Sequence, residues 1–215
     1  MEPLNSVGGM STLDTVAGHA VFDFDKTLTT RDSLRPFLRL VAGTSDLLVS
    51  TLKQPITALM SLYDSSARDR FKQQIVAEHF KGLSAQRIDE VGLGYANEVL
   101  ANWLRDDVVA RLRWHQELGH ITSIVSASLN PYMAHVARQL AVDNLCCTEL
   151  EVLPSGLLSG RFGTPNCRRS EKVRRIEVLG ITASITYAYG DSSGDHEMLR
   201  WADVPTLVGR SKLSC

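Results

Sequence analysis

One stretch constrains the fold more than any other part of the chain: residues 20–27, which read Ala-Val-Phe-Asp-Phe-Asp-Lys-Thr. The apolar run over residues 19–22 predicts a short buried strand that ends in a polar turn. Two carboxylates at its end, Asp23 and Asp25, can both reach one point beyond the sheet edge, where open α/β sheets bind ligands. They repel each other unless a cation lies between them or one holds a proton. A strand that simply ends in an Asx turn is the alternative interpretation.

Length and charge limit the classes of function. A chain of 215 residues suits one large domain or two small ones and can bury a core without disulfide bonds. The formal net charge of -1 gives no overall field that would recruit nucleic acid or a membrane surface. No apolar run approaches the roughly 18 residues that a membrane-spanning helix needs. We therefore expect no nucleic-acid partner and no membrane insertion.

The cysteines and the N-terminus indicate a cytoplasmic protein. Cys146, Cys147, Cys167 and Cys215 show no C-x-x-C spacing, which argues against zinc and favours reduced thiols. Residues 1–18 have neither the basic nor the apolar region of a signal peptide. Met10 is an alternative start of translation.

Two kinds of pattern divide the chain. Residues 33–104 carry helical signals only, and the short apolar run over residues 55–63 is predicted to be one of these helices. Beyond residue 104, helices alternate with strands, which predicts a parallel sheet with right-handed crossovers. We predict an α/β, Rossmann-like core of residues 1–32 and 105–215 with an all-helical cap, residues 33–104, inserted after the first strand. The strands are predicted at residues 19–22, 120–125, 144–152, 157–162, 185–189 and 204–208, the last at an edge because Pro205 cannot donate to a ladder.

Polar groups from four segments converge on one edge of this sheet. Asp23 and Asp25 follow the first strand, Ser126 follows the second, and Asp191 follows a later one. Three carboxylates with glycines nearby form an all-oxygen site that suits Mg²⁺ rather than zinc. Ser126, the amide groups around Ala127, and Lys172 in a first helical turn suit the oxygens of a phosphate. Each residue alone has an ordinary structural explanation, but their joint occurrence in this order predicts a site.

This set of motifs resembles the haloacid dehalogenase superfamily. The residues that carry the resemblance are Asp23-Phe24-Asp25-Lys26-Thr27, Ser126, Lys172 and Gly190-Asp191-Ser192-Ser193-Gly194-Asp195. The helical segment between the first two motifs is similar to that of the phosphoserine-phosphatase-like branch, subfamily IB. The resemblance implies a Mg²⁺-dependent phosphatase that hydrolyses a small phosphorylated metabolite.

The resemblance also implies a role for each motif residue. Asp23 would be the nucleophile that forms an aspartyl-phosphate, and Asp25 would protonate the leaving oxygen and then activate water. Mg²⁺ would be held by the carboxylates of Asp23 and Asp191 and by the main-chain carbonyl of Asp25. The phosphoryl oxygens would be bound by Ser126, Ala127 and Lys172, with Asp195 and Thr27 in support, Asp195 through water or by orienting its neighbours.

Two departures from that branch leave the substrate open. Gly194 stands where many phosphoserine phosphatases carry asparagine, and Asp32 stands where they carry a glutamate that recognises the ammonium of the substrate. Asp32 is therefore a candidate substrate residue, although it can equally cap the helix that follows it. Arg68 and Arg70 are candidates for the arginine of the cap. Phosphoserine, histidinol phosphate and other small alcohol phosphates all remain possible substrates.

Two other classes of function compete with the phosphatase. A signalling module controlled by phosphorylation also combines acidic residues, a hydroxyl and a lysine on a parallel sheet. Asp25 argues against it, because a built-in acid and base would hasten dephosphorylation. A binding protein that has lost catalysis is the second class, and the presence of every expected acidic and basic position argues against it.

Overall fold

The structure of the protein is a computed structural model, and it describes residues 16–43, 65–209 and 213. The helix predicted over residues 55–63 lies outside these residues. The strands are β1 (His19–Phe22), β2 (Ile121–Leu129), β3 (Asn144–Thr148), β4 (Leu150–Val152), β5 (Leu158–Phe162), β6 (Thr186–Gly190) and β7 (Val204–Leu207). The helices are α1 (Leu34–Ala42), α2 (Ser65–His79), α3 (Ala85–Asn102), α4 (Asp106–Glu117), α5 (Asn130–Gln139), α6 (Ser170–Val178) and α7 (His196–Trp201).

The central sheet has five strands in the order β3-β2-β1-β6-β7, and every neighbouring pair is parallel. Its middle strand, β1, is buried along its whole length, which is typical of a parallel sheet covered on both faces. The predicted α/β fold class is confirmed. The edge position predicted for the strand that contains Pro205 is also confirmed, because β7 is the last strand of the sheet.

Side chains of the sheet alternate between two apolar layers. Ala20 and Phe22 of β1 join the larger layer, together with buried residues of α3, α4 and α5. Val21 points to the opposite face and joins the smaller layer, with Ile176 of α6 and Met198 of α7. Because successive residues of a strand point to opposite faces, one strand contributes to both layers. The sheet is therefore held between two layers of helices, and the ends of its strands are left free to form a site.

Two predicted strands differ from the structure. β2 runs to Leu129 instead of stopping at residue 125, because a register shift after Val125 lets Leu129 pair with Thr148. The strand predicted over residues 144–152 is two strands in different sheets. Its second part, β4, turns away to pair antiparallel with β5, and the Glu149 amide between the two parts donates to Thr164 Oγ1 at 3.0 Å.

The chain leaves and re-enters the region of the sheet side by side. Thr29 forms an isolated antiparallel bridge with Leu104. On either side of this bridge, Thr30 N donates to Trp103 O at 2.7 Å and Arg105 N donates to Leu28 O at 2.9 Å. The helices α1, α2 and α3 lie between these two crossings in the chain. None of the helices in the described ranges is long and apolar enough to span a bilayer.

Candidate active site

The carboxyl ends of three neighbouring strands carry the predicted site. Asp23 directly follows β1, and its amide donates to Tyr189 O of β6 at 2.8 Å. Asp191 directly follows β6, and Ser126 lies near the end of β2. The parallel order β2-β1-β6 brings these ends to one edge, as the sequence predicts.

A tight turn over Phe24–Leu28 places Asp25 beside Asp23. Lys26 adopts a left-handed conformation, with φ of 63°, which is uncommon for a residue other than glycine. The turn is closed by Thr29, whose amide and hydroxyl both donate to Phe24 O at 3.1 Å. The same hydroxyl oxygen accepts from Lys26 N at 3.1 Å. Thr29 therefore holds the chain in a conformation that returns Asp25 to the edge of the sheet.

Lys172 joins the first and last motifs. Its Nζ lies 2.6 Å from Asp23 Oδ1 and 2.6 Å from Asp195 Oδ1. Lys172 is 2% exposed, Asp195 is 2% exposed and Asp23 is 6% exposed. The ammonium lies between two carboxylates, and all three charged groups are buried. Their mutual attraction therefore has to offset the hydration that each of them loses.

Burial and the two ion pairs shift these groups in different directions. Burial raises the pKa of Asp23 to about 7, although the Lys172 ammonium opposes the shift. Burial would also raise the pKa of Asp195, but Lys172 and the hydrogen bonds from Ser192 hold it below its usual value. Burial would lower the pKa of Lys172, but both carboxylates raise it above its usual value. Lys172 therefore stays charged, and Asp23 is the carboxyl that accepts a proton more readily when no metal ion is bound.

Asp25 is held by hydroxyl groups from two different segments. Its Oδ1 accepts from the amide of Ser33 at 2.6 Å and from the hydroxyl of Ser33 at 2.5 Å, and its Oδ2 accepts from Ser128 Oγ at 2.6 Å. Ser33 Oγ also lies 2.9 Å from the hydroxyl of Tyr132. Burial and the charge of Asp32 raise the pKa of Asp25, whereas the serine hydrogen bonds lower it. The side chain is therefore fixed in direction and favours its protonated form more than an exposed aspartate does.

Sequence reasoning missed both serines. Ser33 lies at the start of the helical block, and Ser128 lies two residues after the motif serine. Their positions in the sequence do not predict a contact with Asp25. Serines near a motif are common, and the direction of the hydroxyl depends on the fold around it.

The segment after Ser126 is the one predicted to bind phosphate. Ser126 is 1% exposed, and its Oγ accepts from the Ser128 amide at 3.1 Å. Thr27 is fully buried, and its hydroxyl finds no hydrogen-bond partner among the described residues. Buried hydroxyls normally have a partner. An orphaned hydroxyl beside Asp23 and Asp25 in the chain therefore fits a site that binds a further polar group.

The acidic residues at this edge fit a hard cation. The carboxylate oxygens of Asp23, Asp191 and Asp195 lie within 4.8 Å of one another, and no histidine or cysteine belongs to that group of described residues. An all-oxygen set of this kind suits Mg²⁺. Gly190 allows the close approach, since a Cβ there would lie 2.6 Å from Asp195 Cβ. The geometry adds Asp195 to the candidate ligands, whereas the sequence placed it in a supporting role.

The candidate substrate residues are Asp32, Arg68 and Arg70. Asp32 Oδ1 accepts from the Arg35 amide at 3.0 Å, which is the contact of a residue that caps α1. Arg70 is exposed on α2. The side chain of Arg68 lies outside the described part of the structure. The capping role of Asp32 is thus present, and its role in substrate recognition stays a prediction.

Comparisons with known proteins agree with this arrangement. The family model described as haloacid dehalogenase-like hydrolase matches residues 20–200. Protein CicA of Caulobacter vibrioides, strain NA1000 / CB15N, is 36% identical over 183 residues, which cover 85% of this chain and 82% of CicA. The chain therefore belongs to the haloacid dehalogenase-like hydrolase family, as the motifs indicate.

Solved structures share the fold. A protein of unknown function from Bordetella pertussis Tohama I is 21% identical, with a TM-score of 0.60 over 87% of this chain and 88% of that one. A probable phosphoserine phosphatase from Vibrio cholerae is 18% identical, with a TM-score of 0.65 over 86% of this chain and 54% of that one. At these identities the likeness concerns the fold alone, and the chain spans about half of the Vibrio protein.

Proposed function

We propose that this hydrolase is a Mg²⁺-dependent phosphatase that hydrolyses a small phosphate monoester through an aspartyl-phosphate on Asp23. The observation that carries the proposal is the buried cluster at the sheet edge. Lys172 bridges Asp23 and Asp195 at 2.6 Å each, and Asp191 completes a group of three carboxylates. Such a cluster combines a nucleophile, a fixed cation and a metal-binding set of oxygens, which are the parts that phosphoryl transfer from an anionic ester requires.

The residues divide the reaction into two displacements. In the first, a carboxylate oxygen of Asp23 attacks phosphorus, and the leaving alkoxide takes a proton from Asp25. In the second, water attacks the aspartyl-phosphate, Asp25 accepts a proton from that water, and the Asp23 carboxylate is released with inorganic phosphate. Lys172, Ser126 and the amides of the phosphate loop bind the phosphoryl oxygens throughout. Bound Mg²⁺, held by Asp23, Asp191 and the Asp25 carbonyl with Asp195 nearby, would offset the repulsion between the two anions.

We also propose that the helical block, residues 33–104, is a cap over this edge of the core, residues 1–32 and 105–215. The side-by-side crossings at Thr29 and Leu104 support this division, because both connections lie together at the point where the block begins and ends. Ser33 supports it further, since the first residue of the block binds Asp25 directly. Asp23, Lys172 and Asp195 are buried at this edge, and a cap above buried groups favours a small metabolite over a polymer.

Two residues, Asp32 and Gly194, bear on the substrate class. Asp32 contributes a negative charge near Asp25, and a carboxylate there fits the ammonium of an amino-phosphate such as phosphoserine or histidinol phosphate. Gly194 leaves other small alcohol phosphates as candidates.

Cys146, Cys147 and Cys167 are free thiols, which supports a reducing, cytoplasmic location.

The test is a screen of phosphate monoesters with Mg²⁺ or with a chelator, on wild type, Asp23→Asn and Asp106→Asn. Asp106 is an exposed carboxylate in the first turn of α4, so its variant controls for the loss of one negative charge. We expect turnover that needs Mg²⁺, is abolished in Asp23→Asn and survives in Asp106→Asn. Brief incubation with a ³²P-labelled ester should also leave protein-bound label that hydroxylamine releases.

Other outcomes would reject the proposal. Substantial hydrolysis by Asp23→Asn would exclude this nucleophile. A long-lived protein-bound phosphate without turnover would favour the signalling module, and binding of an ester with neither label nor turnover would favour the binding protein.

A further inference from the structure

A buried lysine of the helical block contacts the segment after Ser126 that we propose as the phosphate loop. Lys72 lies on α2 and is 7% exposed. Its ammonium donates to the carbonyl of Ala127 and to Asn166 Oδ1, the latter at 2.7 Å, and lies 3.4 Å from Thr148 Oγ1. Burial lowers the pKa of Lys72 to about 8, with Asp69 opposing the shift, so the ammonium form predominates at pH 7.

The three protons of this ammonium face three protein oxygens. An ammonium has three donors and no acceptor, so the contacts to Ala127, Asn166 and Thr148 use its full capacity. Lys72 is thus not placed to bind a substrate while the structure keeps this arrangement. Its contacts belong to the protein itself.

The amide side chain of Asn166 is oriented by the same helix. Asn166 Nδ2 donates to Asp69 Oδ1 at 2.7 Å, and Asp69 lies three residues before Lys72 on α2. This bond leaves Asn166 Oδ1 directed at Lys72. The helix therefore holds the loop around Asn166 and the phosphate loop together through two charged side chains.

The contact on Ala127 controls a single peptide plane. The carbonyl of Ala127 accepts from Lys72 Nζ and, at 3.0 Å, from Thr148 Oγ1. In a trans peptide the carbonyl and the following amide point in opposite directions, so these two donors, of which Lys72 is the charged one, turn the Ser128 amide the other way. That amide donates to Ser126 Oγ at 3.1 Å, and the Ser128 hydroxyl donates to Asp25 Oδ2 at 2.6 Å. One rotation of this peptide would disturb both the phosphate-binding hydroxyl and the carboxyl that serves as acid and base.

We infer that Lys72 is a positioning residue, which orients the Ala127–Ser128 peptide when α2 is docked and thereby aligns Ser126 and Asp25 for the reaction. Lys72 touches neither substrate nor nucleophile in this role. The helical block then contributes to the chemical step itself, in addition to covering the site. The inference rests on the proposed phosphatase function for its kinetic consequence, but its structural consequence is independent of turnover.

The test compares Lys72→Met with Gln74→Met. Methionine keeps the length of the lysine stem and removes the charge, and Gln74 is an exposed residue of the same helix, so its variant controls for a new methionine on α2. We expect the Ser128 amide to exchange with solvent about tenfold faster or more in Lys72→Met, the factor expected from loss of a hydrogen bond to a charged group. Gln74→Met should exchange like wild type, as measured by amide-resolved NMR.

The kinetic arm separates positioning from folding. On glycerol phosphate with Mg²⁺, Lys72→Met should lose about tenfold or more in kcat with little change in KM. Its Tm should fall, because the oxygens of Ala127 and Asn166 lose a buried donor, so kcat is measured well below that Tm, where the variant is folded. If Lys72→Met fails to fold, Lys72→Gln should still speed exchange at Ser128, since it replaces the charged donor to Ala127 by a shorter and neutral one.

The outcomes are distinguishable from failure of the proposed function. Unchanged exchange at Ser128 in a folded Lys72→Met overturns the inference, whatever the activity. A kcat that falls only at temperatures where Lys72→Met unfolds assigns Lys72 a purely structural role and also overturns the inference. If wild type hydrolyses no ester while Ser128 exchange rises in Lys72→Met, the proposed function fails and the positioning of the peptide stands.

Discussion

Replacing Lys172 by methionine tests the electrostatics of the site as a whole. The ammonium is 2% exposed and lies 2.6 Å from both Asp23 and Asp195. Removal of one member of a buried ion pair typically costs about 3–5 kcal/mol, because the other charge stays buried without a partner. We expect Lys172→Met to lose about this much in its free energy of unfolding at pH 8 without metal. Urea denaturation followed by circular dichroism measures it.

The loss should depend on pH in a defined direction. The pKa of Asp23 is raised from its ordinary value to about 7 in the folded protein, so protonation of Asp23 stabilises the fold. This stabilisation is complete below the ordinary pKa of an aspartate and is lost as the pH rises through about 7. Without Lys172 the opposing ammonium is gone, and the pKa of Asp23 rises further. The difference between wild type and variant should therefore be smaller at pH 5 than at pH 8.

Magnesium and a matched lysine variant complete the test. Saturating Mg²⁺ should stabilise Lys172→Met more than wild type, since the ion replaces the missing positive charge. Lys81→Met, a change at an exposed lysine, should stay within about 0.5 kcal/mol of wild type at both pH values. A loss below about 1 kcal/mol at pH 8, or an equal loss at pH 5 and pH 8, would refute the view of Lys172 as the counter-ion of two buried carboxylates.

Four further predictions follow from particular contacts. Asp25→Asn should lower kcat by about 10²–10⁴-fold. In single-turnover phosphorylation of the enzyme the loss should be smaller for aryl phosphates than for alkyl phosphates, because an aryl leaving group needs no proton. An equal loss for the two kinds of ester would contradict the acid role. Calcium should inhibit in Mg²⁺-competition assays, because its looser and larger coordination shell draws both oxygens of Asp23 toward the ion; full turnover with calcium would contradict this site. Asp32→Asn should lower kcat/KM for phosphoserine and spare glycerol phosphate if Asp32 binds an ammonium, whereas an equal loss that follows Tm would leave it as a cap alone. Gly92→Ala should lower the free energy of unfolding by about 1–3 kcal/mol or more, while Gly94→Ala on the same helix should be neutral or stabilising by up to about 1 kcal/mol; equal effects of the two in urea denaturation would contradict the packing.

The two glycines of α3 illustrate what a local pattern omits. In the sequence, both weaken the prediction of a helix, because glycine disfavours helix interiors. In the structure, a Cβ on Gly92 would lie 2.1 Å from Pro131 O of α5, whereas a Cβ on Gly94 would meet nothing within 4 Å. Gly92 is therefore where α3 and α5 approach each other closely, a property of two helices far apart in the sequence. The helix lies within the helical block predicted for residues 33–104, and Ser84 caps it, since its Oγ accepts from the Arg87 amide at 3.4 Å.

The positions of the candidate site residues were predictable because these residues lie at the ends of strands. A sequence pattern predicts strands and their ends, and the carboxyl ends of parallel strands lie at one edge of the sheet. This is why Asp23, Asp191 and Ser126 could be expected at the same edge. The register shift in β2 was not predictable, since it depends on pairing between Leu129 and Thr148. Lys72 gave no signal for the same reason, because a lysine on a polar helix is ordinarily exposed and only docking of the helix buries it.

The contacts of Asp25 give a physical reason for a helical insertion at this point of the chain. The insertion begins eight residues after Asp25, and its first residue, Ser33, donates two hydrogen bonds to that carboxylate. Tyr95 of α3 fixes Ser33 in turn by donating to its carbonyl at 2.6 Å. From the other side, Ser128 of the phosphate loop holds the second oxygen. Helices inserted after a later strand would enter far from Asp25 in the chain. With the insertion at this point, only two hydrogen bonds in series, Tyr95 to Ser33 and Ser33 to Asp25, connect α3 to the proposed acid and base.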